Sequence, residues 1–147
     1  MKQTLKTLFE RDLKRLQTEL NAYSKEENIW KVDGNIANST GTLVLHLLGN
    51  LNHFVGAVMG GSGYIRDREA EFSLRGVPQT EMSEAIDETI KVVTKALEYF
   101  PEGKFSEPYP LVVFAEPMTY EYFMFHLVGH LNYHLGQVNY HRRLLDK

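Results

Sequence analysis

Histidine recurs with the period of an α-helix near the C-terminus of this chain, in FMFHLVGHLNYHLGQVNYHRRLL from Phe123 to Leu145. His126, His130 and His134 follow one another at i, i+4 spacing, and His141 lies two turns past His134. At ~100° per residue these four form one stripe along a helix. Neutral imidazole is the commonest protein metal ligand, and two on successive turns can present nitrogens to one ion. A site needs at least a third ligand. The only other histidines are His46 and His53, in the apolar, helical-looking segment LVLHLLGNLNHF. The pattern points to a metal held between two helices.

Composition narrows the chemistry further. The chain has no cysteine, so a transition-metal site must use His, Asp, Glu and water, and any thiol belongs to a substrate. A net charge of −3 offers no basic footprint for nucleic acid. The 147 residues fit one domain, 1–147, and the 43% hydrophobic and 24% charged content is that of an ordinary soluble protein. No segment has ~20 uninterrupted apolar residues, and the start, MKQTLKTLFERDL, is charged and amphipathic rather than signal-like. A cytoplasmic location is the expectation, with no membrane partner.

Hydrophobic periodicity predicts four helices. Leu5, Leu8, Phe9, Leu13, Leu16 and Leu20 step by threes and fours and define the first. The next stretch ends in Asn38, Ser39 and Thr40, which suit a helix N-cap. A second helix follows from about Gly41 to Val58 and stops at the glycines of MGGSG. The charged segment YIRDREAEFSLRGVPQT reads as a long crossover connection, with Thr80 or Ser83 available to cap a third helix over about Glu81 to Phe100. FSEPYPLVVFAEPMT carries three prolines and predicts an extended loop or small hairpin rather than a core strand. The final helix runs from about Thr119 to Leu145, with Arg142 and Arg143 near its C-terminal dipole.

The long second-to-third connection allows up-down-down-up order. In that order, at ~1.5 Å per residue, His46 comes level with His130 and His134, roughly 20 Å above the bundle base. His53 and His126 then meet about two turns lower.

At these residues the sequence resembles the DinB-like (YfiT-like) superfamily. HLVGHLNYHLGQV is similar to its C-terminal motif, a His-xxx-His pair followed by Gly-Gln, here His130, His134, Gly136 and Gln137. HLLGN and RDREAEF resemble the second-helix signature of one subgroup, here His46, Leu47, Gly49, Asn50, Arg66, Arg68, Glu71 and Phe72. The resemblance covers essentially the whole chain. It implies an all-α, up-down-down-up four-helix bundle, a homodimer, and a divalent metal, zinc or nickel, on His46, His130 and His134. Relatives in that superfamily include transferases and isomerases that use a low-molecular-weight thiol such as bacillithiol or mycothiol. Leu135 stands where many of them carry arginine.

Three histidines leave an ion an open position, the arrangement of a catalytic site, where a bound thiol or water is activated. No Asp or Glu adjoins the ligands in sequence. The nearest polar groups there are Asn132, Tyr133 and Gln137, and among these only Tyr133 can exchange a proton. Metal activation of an incoming thiol is therefore better supported than a proton-relay hydrolase. Thiol S-transfer to a small-molecule substrate is the leading reading; a non-catalytic metal-binding or stress-associated bundle and a metal-dependent hydrolase are the alternatives. Asn50, Tyr133, Gln137, Arg66 and Arg68 are the candidates for supporting the ligands or touching substrate. The plainer readings are that Asn50 serves a local polar network, that Arg66 and Arg68 are solvated or pair with Glu69 and Glu71 at little net gain, and that His53, His126 and His141 are structural or solvent-facing.

Overall fold

The first helix, α1 (Lys2–Asn21), forms where the leucine period predicts it. Leu5, Phe9, Leu13, Leu16 and Leu20 are fully buried and Leu8 lies half-buried beside them. The same face also buries Asp12. Its carboxylate is not orphaned, because Arg11 donates two hydrogen bonds at 2.8 and 3.0 Å and Asn132 donates one at 2.6 Å. Burial raises the Asp12 pKa, but these donors outweigh it and hold the group below the ordinary carboxylate range. The computed structural model describes residues 1–147.

A short 3₁₀ turn (Glu26–Trp30) leads to α2 (Thr40–Leu51). Ser39 caps it, its hydroxyl accepting the Thr42 N–H at 3.2 Å. Gly41 lies under the Trp30 indole, so closely that an added Cβ would overlap the ring. Every residue of α2 except Leu45 is buried, which explains the absence of charge from this stretch: a helix covered on all sides has no polar face. The helix continues to Met59 with π geometry over Asn52–Met59. Together Thr40–Met59 is long and apolar enough to cross a membrane by length and composition, yet most of it is buried within the bundle. At Gly56 and Gly60 it lies close to Val92 and Ala96, where a Cβ would collide.

The expected crossover contains a helix that periodicity does not predict, α3 (Arg68–Ser73), capped by the Asp67 side chain on the Ala70 N–H at 3.0 Å. The fourth helix, α4 (Gln79–Tyr99), begins after Pro78 with no side-chain cap. Thr80 and Ser83 lie inside it rather than at its cap; the Gln79 N–H is taken by Glu26, and Ser83 O accepts from Gln17 at 2.9 Å. After a 3₁₀ turn (Glu102–Ser106), the proline-rich stretch is an extended loop closed by one antiparallel bridge between Pro108 and Thr119. Thr119 then caps α5 (Tyr120–Leu145) through the Tyr122 N–H.

The result is an all-helical bundle whose core draws on all four long helices. Side-chain contacts give the pairwise directions. Lys2 reaches Glu98 O and Gln17 reaches Ser83, so α1 and α4 are antiparallel. Asp12 meets Asn132 and Glu19 meets Asn139, so α1 and α5 are parallel. His46 faces His130 and Phe54 faces Phe123, so α2 and α5 are antiparallel.

Candidate metal centre

Because α2 and α5 run past each other in opposite directions, His46 comes level with His130 and His134. One nitrogen from each ring lies within 4.8 Å of the other two, and the group can hold a metal ion. His46 Nε2 and His130 Nε2 are 3.2 Å apart. The ring centroids are separated by 5.1, 5.4 and 4.6 Å with interplanar angles of 80°, 86° and 89°, so the rings meet edge to face rather than stacking.

Neighbouring groups decide which nitrogens are free. His46 Nδ1 is 3.2 Å from Glu71 Oε1, and a carboxylate only accepts, so Nδ1 carries the proton and Nε2 keeps its lone pair toward the other histidines. Glu71 is itself fixed by Arg66, whose Nε and Nη2 donate to its two oxygens at 2.8 Å each. His134 repeats the device, its Nδ1 lying 2.7 Å from Gln137 Oε1. A ligand imidazole anchored through its second nitrogen is the usual support of a metal site. His130 is different: its Nδ1 is buried and has no partner. Burial, reinforced by His134 and His46, pushes the His130 pKa down to about 4. Burial also lowers that of His46, against a smaller opposing pull from Glu71. Both rings are therefore neutral near pH 7, as ligands must be. The donor set fits a divalent ion.

The centre is held by a close approach that the sequence pattern alone does not reveal. A Cβ on Gly49 would overlap the Glu71 carboxylate, so the glycine one turn after His46 admits the acid to the back of the imidazole. Residues 2–147 match the family model described as Protein of unknown function (DUF1572). The chain belongs to that family. Comparison with curated proteins and with solved structures gives no match. In this DUF1572 chain the Arg66 and Glu71 side chains are only 13% and 6% exposed, so the expected pairing of Arg66 with Glu71 forms, but buried behind His46 rather than solvated in a charged loop.

The other expected residues divide. Gln137 supports His134. Tyr133 touches the same ring edge-on at 5.2 Å but is 66% exposed. Asn132 turns instead to Asp12 of α1. Arg68 lies over Phe72 at 5.1 Å, and Phe72 in turn packs on His46, so Arg68 is one layer farther out. Asn50 is buried with its Oδ1 unpartnered, and no polar network forms around it. The expected meeting of His53 with His126 does not occur. His53 packs on Phe54, while His126 is exposed, lies against Phe114 and stacks on Phe123 and His130. His141 is structural: buried, with Nδ1 2.6 Å from Tyr23 Oη and Nε2 2.8 Å from Lys31 O.

Proposed function

We infer that His46, His130 and His134 are the ligands of a divalent metal ion, zinc or nickel, in a small-molecule enzyme of the thiol S-transferase type. The observation that carries this reading is the tethering of Nδ1 in His46 and His134, by Glu71 and Gln137, which turns their Nε2 atoms toward His130. A divalent ion with three protein ligands and an open position lowers the pKa of a coordinated thiol or water. Within the chain, Glu71 orients His46 and is occupied by Arg66, so it is not available as a base for water on the far side of the ring. That favours thiol transfer over hydrolysis. The chain brings no thiol of its own, and a low-molecular-weight thiol in the cytoplasm is the co-substrate of this reading.

The same reading takes the bundle as up-down-down-up and DinB-like, supported by the pairwise helix directions. It also takes the molecule as a homodimer. Tyr122, Phe125, Tyr133, Tyr140 and Leu144 are exposed on α5, and at ~100° per residue they share one outward face with Gly129 and Gly136. No charged residue interrupts that face between Tyr122 and Tyr140. An uncharged aromatic strip on the outside of a bundle is a surface for a second copy.

The test is elemental analysis of the purified chain, then a thiol-transfer assay with bacillithiol or mycothiol before and after chelation and re-addition of metal. Stoichiometric metal with chelator-sensitive transfer supports the enzyme. Metal without transfer favours the non-catalytic bundle, and no metal overturns both.

A further inference from the structure

A cavity of about 370 Å³ lies between the start of α2 and the last turns of α5, within the size range of small-molecule sites. Its position follows from the histidine layer. Leu43, in its wall, is three residues before His46 on α2; Gln137 is three residues after His134 on α5, and Tyr140 and Leu144 continue the same wall. The cavity is thus the next layer of the bundle, one turn beyond the candidate ligands on both helices. The loop before α2 forms its outer wall with the exposed Asn35 and Asn38, and the cavity opens to solvent there.

Its lining is selective in kind. No Asp, Glu, Lys or Arg contributes. His141 does, but both its ring nitrogens are already bonded to Tyr23 and Lys31. What remains is three primary amides, one phenol and the apolar side chains of Ile36, Ala37, Leu43 and Leu144. Gln137 uses its oxygen on His134 Nδ1, which leaves its Nε2–H₂ to donate. Paired amide donors and acceptors complement the amide groups of a ligand, whereas a carboxylate or phosphate placed here would meet no cation.

We propose that this cavity binds an uncharged, amide-bearing small molecule of dipeptide size, with its apolar arm against Ile36 and Leu43 and its amide on Gln137. Gln137 then connects the occupant to His134, so the site both selects the molecule and holds it beside the histidine layer. The proposal rests on the metal reading only in placing the occupant next to an ion.

The test is an NMR titration of the full chain with N-acetyl-glycyl-leucinamide and, separately, with its free acid, N-acetyl-glycyl-leucine. The amide gives saturable shifts at the side-chain amides of Asn35, Asn38 and Gln137, and the acid binds about fivefold more weakly or worse. Ala37→Trp, an exposed wall position outside the ligand shell, fills the cavity and weakens the amide about tenfold or more, with metal content unchanged. Equal affinity of the amide for Ala37→Trp and the parent chain, or shifts that spread over the surface without saturating, overturns the proposal. Elemental analysis of the same sample as purified, with the titration repeated after chelation, separates the two readings: a chain that holds no metal as purified but still gives the saturable shifts overturns the metal reading and supports this one.

Discussion

At the scale of single residues, the candidate site divides into the three imidazoles placed to hold an ion and the groups that position those imidazoles. Replacing His130 or His134 with alanine removes one of three ligands, and the expected result is a sharp fall in metal content by elemental analysis. His141→Ala instead leaves metal content unchanged and costs stability of about 1–3 kcal/mol, because the Tyr23 hydroxyl and Lys31 carbonyl lose a buried partner. Equal metal occupancy in all three variants overturns the ligand assignment. Gly49→Ala probes the support: the new methyl displaces Glu71 from His46, and competition against a calibrated chelator should show metal affinity down by about 10–100-fold. The three-histidine group was legible in the sequence from histidine spacing and the family resemblance. Its support was legible in part: Gln137 and Arg66 were among the candidates, but the contact of Glu71 with His46 was not, because it forms only through the packing of α3 on α2, and nothing in the local pattern distinguishes a glycine that admits a carboxylate from one that ends a turn.

At the scale of elements, sequence pattern located the four long helices to within about three residues, since three of them bury one face and the second, buried on nearly all sides, is bounded by its cap and its glycines. It missed α3 because a six-residue helix has under two turns in which to show a period. It misread the start of α4 because Thr80 and Ser83 are good caps in isolation, whereas Glu26 from a distant turn supplies the acceptor. The two cap predictions separate these cases. Ser39→Ala removes the hydroxyl that accepts the Thr42 N–H and should lower stability by about 1 kcal/mol in urea unfolding. Thr80→Ala, inside α4 and exposed, should change it by less than about 0.5 kcal/mol. A Thr80 effect as large as that of Ser39 contradicts the observed start of α4.

At the scale of the whole molecule, one expectation concerns assembly and another ties folding to the metal. Phe125→Glu places a charge in the middle of the exposed α5 strip and should convert a dimer to a monomer in light scattering; a parent chain that is monomeric across micromolar concentrations removes the dimer from the reading. The second expectation follows from the lowered pKa values of His46 and His130. In the unfolded chain these rings titrate near ~6.5, whereas in the folded chain they resist protonation, His130 down to about 4. Between those values the unfolded state binds more protons, so stability is complete above about pH 6.5 and falls as pH drops toward 4. A bound ion adds to stability by mass action wherever the imidazoles are neutral, and protons compete with it over the same range. The measurement is the melting temperature at pH 7.5 and 5.5, each with and without a chelator whose affinity is calibrated at both values. Chelation should lower the melting temperature clearly at pH 7.5 and little at pH 5.5, while the metal-free protein still melts lower in acid because burial of neutral His46 and His130 is independent of the ion. If metal is shown to leave at pH 7.5 and the melting temperature does not move, the ion does not tie α2 to α5, and the histidine layer is a packing feature.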